Sequence, residues 1–328
     1  MSSTTETAGS AGRWGPLWGA RPTDWALNED RQTPTYEAAL QRVPLTLGQR
    51  VLDVGCGVGA FLRLVAERGA MPYGIDASDR LVELARTRLP DADLRVGEME
   101  HLPYDDDSFD LVTGFNSFFF ANDMVAALRE AARVARPGAS VVVQVWGAHE
   151  RCDLEAMKQI ARPFLPPRPP GAPVDPDLSE PGALTALALE AGLAPVGEFD
   201  TSWALAYPDE ETLGRAMIAV AGLAVLAGPD REAELRQAIV EGLARFRTAD
   251  GRYLLDALRM CSMDHSWESP SRTTNRTPSS KRENEPEKGF EPLTPALQER
   301  CSDQLSYSGS RHIVISDATC GFAAARSG

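Results

Sequence analysis

The sequence predicts an α/β fold: a doubly wound, mostly parallel seven-stranded sheet with helices on both faces, plus a helical insertion before the last strand. Three observations predict it. Through residue 145, short apolar runs alternate with amphipathic stretches of helical period, as strands buried on both faces alternate with the helices that cover them. The run Val51, Leu52, Asp53, Val54 passes directly into Gly55, Gly57 and Gly59 before apolar residues resume at Ala60, which reads as strand, tight turn and helix start. The length, 328 residues, accommodates one such domain with additions.

Taken in order, residues 1–12 are rich in Ser, Thr, Gly and Ala and are expected to be disordered. Residues 13–46 form an N-terminal helical segment. Trp14, Trp18 and Trp25 crowd its polar first half, either as a cover over a site or as anchors on the domain surface, and Tyr36, Ala39, Leu40 and Val43 share one face of a helix over 35–43. Residues 47–150 are the core. After the first strand come a helix over 60–68, a strand over 71–75, and a helix with Leu81, Leu84, Ala85 and Leu89 inward, capped by Ser78 or Asp79 and stopped by Pro90. Strands follow at 94–96, 109–114 and 140–145, with a helix between the last two that Asn122 caps and Pro137-Gly138 ends.

Residues 151–260 begin with the proline-rich stretch PFLPPRPPGAPVDP at 163–176, a stiff loop that is either a lid or a connector. A helix over 182–191, an extended segment over 194–206, helices over 208–226 and 230–246 (the second capped by Asp230) and a last strand over 253–258 complete this part. Residues 261–328 are polar without apolar period and are expected to be disordered. Their stretch KGFEPLTPALQERCSDQLSYSG is similar to peptides made when a reading frame runs on into a stable RNA gene. An extension without function and a partner-binding tail remain open, the latter with no motif behind it.

The glycines fit a backbone that turns sharply beneath a bulky ligand, where positive φ is needed and a Cβ has no room. Gly55, Gly57 and Ala60 also satisfy a dinucleotide-binding spacing, with Asp76 downstream for a ribose. Asp53 separates the readings. At the strand end its carboxylate would repel a pyrophosphate and attract a cation. S-adenosyl-L-methionine carries a sulfonium and an α-ammonium and no phosphate.

Three motifs in order, VLDVGCGVG, YGIDASDRLVELAR (73–86) and VGEMEHLPYDDDSFDLV (96–112), resemble the class I S-adenosylmethionine-dependent methyltransferases, in particular their small-molecule branch called type 11. The resemblance implies a Rossmann-like core and in-line methyl transfer from S-adenosyl-L-methionine to an O, N or C atom of a small molecule. By the same resemblance Asp53, Gly55, Cys56, Gly57 and Gly59 surround the methionine moiety, Asp76 and Ala77 the ribose, and Glu98 and Met99 the adenine. Cys56 reads as a small packing residue rather than a nucleophile. Glu98 stands where the family usually has aspartate, so its contact is expected to be longer, water-mediated or taken over by backbone. His101 reads as a surface histidine beside the acidic run 105–107.

The fourth strand's C-terminal end faces the ligand crevice of such a sheet, which places Asn116 against the methionine end and at least one of Phe118 to Phe120 in an apolar pocket. Phe119, with Trp18, Trp25 and Tyr36, is the predicted substrate pocket. His149, just past the fifth strand, is the candidate general base.

Charge supports a small substrate. With 33 Lys+Arg against 47 Asp+Glu the net charge is -14, which disfavours nucleic acid and anionic membranes as partners. The five cysteines show no metal-ligand spacing, and the start does not read as a secretory signal, so reduced thiols and a cytoplasmic location are expected. The most apolar run, 216–228, is too short for a membrane span and reads as a buried helix. Two other functions stay open: a module that binds the cofactor without transferring a methyl, and an NAD(P)-dependent oxidoreductase. Asp53 and the lack of a YxxxK pair speak against the latter.

Overall fold

Before its first strand the chain folds into three helices, α1 (Ser10–Trp18), α2 (Pro22–Glu29) and α3 (Thr33–Arg42). The computed structural model describes residues 9–147, 152–167, 178, 180, 182–256 and 309–317. Order begins earlier than the composition suggests. Ser10 Oγ and Ala11 N both donate to the Glu98 carboxylate, the amide at 2.7 Å, and this contact ties down a first turn that was expected to be disordered through residue 12.

The strand β1 (Arg50–Val54), the helix α4 (Ala60–Glu67), β2 (Met71–Asp76), α5 (Asp79–Arg88), β3 (Asp93–Val96), β4 (Phe109–Phe115), α6 (Met124–Val134) and β5 (Ala135–Trp146) follow. Pairing is parallel throughout, in the order β3-β2-β1-β4-β5. The pleat sends alternate residues to opposite faces. Val51, Leu111 and Val142 pack with Leu62 and Val65 of α4 and Val82 of α5, whereas Leu52, Val112, Val141 and Val143 pack with Leu128 and Ala131 of α6. Both faces are therefore covered, and the strand order reverses between β1 and β4, which opens a crevice at their C-terminal ends. Ser78 caps α5 by accepting from Leu81 N at 3.2 Å, as expected, while α6 is capped by Asp123 rather than Asn122.

After α7 (Leu154–Ala161) and α8 (Ala183–Glu190) the chain departs further from expectation. The extended segment 194–206 is two strands, β6 (Leu193–Ser202) and β7 (Ala204–Tyr207), separated at the buried Trp203. Then come α9 (Glu210–Ile218), α10 (Leu223–Ala227), α11 (Glu232–Gly242) and β8 (Tyr253–Asp256). The expected last strand, β8, pairs antiparallel with β7 as a separate two-stranded sheet, and Tyr207, Leu205, Tyr253 and Leu255 face a third core shared with α9 and α11. The place left in the main sheet goes to β9 (Gly309–Asp317), antiparallel between β5 and β6. These tail residues were expected to be disordered; the backbone of β5, buried on both faces, offers an unpaired edge that a late strand satisfies. Residues 261–308 and 318–328 lie outside the described residues.

The expected helix over 208–226 is broken at Ala221 (φ 48°) and Gly222 (φ 71°), and Leu17 of α1 packs against the break so closely that a Cβ on Gly222 would meet Leu17 Cβ at 2.7 Å and Leu17 Cα at 3.0 Å. The run over 216–228 is thus two helices rather than the one expected, mostly buried as far as Ala224 and exposed at Val225 and Leu226. Asp230 does not cap α11; Arg231 stands at that position without a side-chain capping bond. Among the described residues no helix is long and apolar enough to cross a membrane.

The N-terminal helices lie between core and insertion. Asn28 of α2 donates to Ala216 O at 2.6 Å and accepts from Tyr207 Oη at 2.7 Å, and Asp24 pairs with Arg215 at 2.6 Å.

Candidate functional site

At the C-terminal end of β1 the chain turns on Gly55 (φ 79°) and Gly57 (φ 54°), conformations that side chains rarely adopt. Gly55 N and Cys56 N donate back to Ile75 O at 2.8 and 3.1 Å, which holds the loop against β2. A Cβ on Gly57 would fall on the Glu29 carboxylate, and one on Gly55 on Ser117 Cβ, so neither position tolerates a side chain. Gly59 has a different task. It leads into α4 at φ 83°, its Cβ would meet Leu89 Cδ1 at 2.9 Å, and it does not line the cavity.

The loop forms one wall of a cavity of about 300 Å³ at the crevice. Asp53, Gly55, Cys56, Gly57, Asp76, Ala77, Met99 and Asn116 line it, as do Trp18, Trp25, Tyr36 and Phe119. Glu98 lies instead at a small adjoining cleft, and its carboxylate is taken by Ser10 Oγ and by the amides of Ala11 and Met99, the latter at 3.0 Å. The contact sketched for it with a ligand is thus replaced by a bond to α1. His149 lies outside the described residues. His101 is exposed and away from the cavity.

The electrostatics of the cavity follow from three carboxylates, Glu29 and Asp53 buried and Asp76 half-buried. Asp53 accepts from Thr113 Oγ1 at 2.7 Å; burial pushes its pKa up to about 8, against the Thr113 bond, and Glu29 and Asp76 add to the rise. Asp76 accepts from Gly57 N at 2.9 Å and Ser78 N at 2.8 Å, and burial raises it as well. Glu29, at the end of α2, accepts from Val58 N, Ala60 N and Trp25 Nε1 at 2.8, 2.9 and 2.8 Å; burial lifts it to about 7 against those bonds. Among the described residues none of the three is ion-paired. Burial raises the Cys56 thiol well above its ordinary range, which leaves it a packing residue.

Asn116 sits at φ 54° at the end of β4, held by its amide bond to Gln144 O at 3.0 Å. Its Nδ2 reaches Gln32 Oε1 at 3.3 Å, and its buried Oδ1 has no partner. Most of the remaining wall is apolar, with Trp14, Phe120, Trp146, Met157, Leu205 and Met217, and Asn28, Gln32, Ser117 and Lys158 are its polar members. Trp14 and Trp18 meet Phe120 edge-on at 4.8 and 5.5 Å, joining α1 to the segment after β4.

Sequence reasoning missed Glu29, Gln32 and the residues from α7, β7 and α9. Glu29 and Gln32 carry no local signal that sets them apart from surface residues of a helix.

Residues 52–143 match the model of a family described as a methyltransferase domain. This stretch of the chain is similar to that family. The methyltransferase GfsG of Streptomyces halstedii is 36% identical over 114 residues, 33% of this chain and 41% of that protein. The demethylmenaquinone methyltransferase of Tropheryma whipplei (strain Twist) is 33% identical over 129 residues, 39% of this chain and 51% of that protein. The chain thus spans about half the length, or less, of these relatives. A methyltransferase solved in complex with the Haloferax volcanii Trm112 methyltransferase activator aligns at 26% identity over 74% of this chain and 95% of that one, with a TM-score of 0.46.

The methyltransferase domain implies S-adenosyl-L-methionine as methyl donor, and the cavity's donor set fits it. Two glycines leave room at the loop, three carboxylates with no ion-pair partner among the described residues suit a ligand of net positive charge, and Asn116 Oδ1 has an unused acceptor site.

Proposed function

We propose that this protein binds S-adenosyl-L-methionine in the cavity at the end of β1 and transfers its methyl group to a small, largely apolar acceptor. The observation that carries the reading is the meeting of three carboxylates with no ion-pair partner among the described residues, Glu29, Asp53 and Asp76, with an aromatic wall in one cavity. A cation lowers the free energy of that arrangement; an anion such as a nicotinamide dinucleotide raises it.

In this reading the loop of Gly55 to Gly57 and Asp53 hold the methionine moiety, and Asp76, with Ala77 beside it, accepts from the ribose hydroxyls. Met99 packs at the adenine end, where Glu98 is occupied by α1 and contributes through the loop it orders. Bound donor supplies an electrophilic methyl group; the protein supplies alignment and dryness. Phe119, Phe120 and Trp146 wall the acceptor side, and the helices α1 and α2 with Trp14, Trp18 and Trp25 exclude water from it. Apart from the carboxylates at the donor end, no described cavity residue is suited to remove a proton near neutrality. Nucleophiles that react by alignment alone, such as a carbon or an amine, therefore suit the described cavity, and His149 is the base to test for a hydroxyl acceptor. Relatives named for demethylmenaquinone and 27-O-demethylrifamycin SV mark polycyclic and quinone-like molecules as first acceptors to screen.

Calorimetric titration with S-adenosyl-L-methionine, S-adenosylhomocysteine and NADH tests the reading. The first two bind, NADH does not, and Asp53→Ala or Asp76→Ala weakens binding about tenfold or more. Absence of binding by the unmodified protein, or preference for NADH, rejects the reading. Transfer of a labelled methyl group to a screened acceptor then separates an enzyme from a module that only binds.

A further inference from the structure

Helix α4 begins without a local cap, since Gly59 offers no side chain to its first amides. The missing acceptor comes from the N-terminal segment. Glu29 Oε2 takes Val58 N and Glu29 Oε1 takes Ala60 N, and Trp25, one turn earlier on α2, donates its indole N–H to Oε2. Gly57 is bare where this carboxylate passes. The first amides of α4, a helix N-terminus that would otherwise suit the ligand's carboxylate, are thus already occupied by a carboxylate of the protein itself.

Displacing Glu29 would strand the Trp25 N–H and leave a buried carboxylate without donors, an unfavourable exchange for one ligand group. Glu29 also lines the cavity beside Gly57 and Asp53. It is held in place by three donors, two on Oε2 and one on Oε1, and keeps one acceptor site, on Oε1. We propose that Glu29 is a binding residue for the α-ammonium of the cofactor's amino-acid end, so that the N-terminal segment, latched onto α4 by the same carboxylate, completes the cationic half of the site. The inference rests on the cofactor reading above. It accounts for why a carboxylate of the segment reaches the glycine loop, beside the aromatic and apolar packing of Trp18, Trp25 and Ala26 on Val58 and Leu81.

The test compares two neutral thioethers, S-adenosylhomocysteine and 5′-methylthioadenosine, which differ in the presence of the amino-acid end. Calorimetry is run on the full chain and on Glu29→Gln, with circular dichroism and thermal melts as fold controls. The expected result is that Glu29→Gln weakens S-adenosylhomocysteine about tenfold and leaves 5′-methylthioadenosine within about twofold. Glu29→Asp, which keeps the charge but shortens the reach, falls between the two and serves as the variant should Glu29→Gln fail to fold. An equal loss for both ligands overturns the proposal and makes Glu29 a cap only. Tighter S-adenosylhomocysteine binding by Glu29→Gln also overturns it, because Glu29 would then compete with the ligand's carboxylate. If the unmodified protein binds neither thioether nor S-adenosyl-L-methionine, the cofactor reading itself fails and this inference with it. Binding by the unmodified protein with no change in the variants defeats the inference alone.

Discussion

Asp53 and Glu29 are carboxylates that the fold buries without a counter-cation among the described residues, and their protonation sets how the site behaves with pH. Both are raised above the ordinary carboxylate range, Asp53 to about 8 and Glu29 to about 7, chiefly by burial. Raised values mean that the folded protein binds these protons more tightly than the unfolded chain. Their contribution to stability is therefore complete below the ordinary carboxylate range and is lost as pH rises through 7 to 8. A cationic ligand reverses the preference by favouring the ionised forms. Two outcomes are expected: the melting temperature of the free protein falls between about pH 5 and about pH 9, and the increment produced by S-adenosyl-L-methionine grows over the same window. Titrations near neutrality in buffers of different ionisation enthalpy should register proton release on binding. A ligand increment that is flat with pH would mean that these carboxylates do not face the ligand.

Between the helices of the insertion and the N-terminal segment, single contacts hold whole elements in place. Asn28 joins α2 to α9 and β7 through Ala216 O and Tyr207 Oη, all buried. Asn28→Ala leaves a buried hydroxyl and a carbonyl without partners and is expected to lower stability by about 2–3 kcal/mol in urea denaturation. Loss of less than about 0.5 kcal/mol would show that water replaces the bond. Gly222 lets the chain break between α9 and α10 where Leu17 of α1 presses on it. Gly222→Ala combines a left-handed conformation with a contact to α1, so a loss of about 1–2 kcal/mol is expected, with weaker cofactor binding as α1 shifts. Unchanged stability would show that α1 yields at that contact without cost.

For the whole molecule, the central question is how the sheet is completed. β9 lies between β5 and β6 and is the sole described link between them within the sheet, so removing residues 261–328 leaves two strand edges unpaired. The truncated protein is expected to melt more than about 5 °C lower than the full chain and to aggregate more readily. Equal melting curves would show that β9 is dispensable and restore the reading of the tail as an extension without function. The -14 net charge complements this picture at long range, since a field of that sign favours approach of a cationic ligand and the effect weakens as salt is added.

The parallel core was legible because strand, glycine turn and helix are local signals: Val51 to Ala60 dictate their own conformation, and the order of three such motifs identifies the family. Asp53 was legible for a related reason, as a charge at the end of an apolar strand has few settings that tolerate it. Glu29 was not, because an acidic residue at the end of a helix looks like any solvated one until the fold lays it on the first turn of α4, across a separation of about thirty residues. Glu98 was legible in position and misread in partner, since nothing local announces that Ser10 and Ala11 reach it. The pairing of β7 with β8, and of β9 with β5 and β6, also lay beyond local reading. Strand propensity indicates that a segment can be extended, but its partner depends on which edges the rest of the fold leaves unpaired. The sequence alone thus determined the cofactor loop and the core around it; only the tertiary structure decided which distant residues close over that loop, because those contacts exist between surfaces that folding creates.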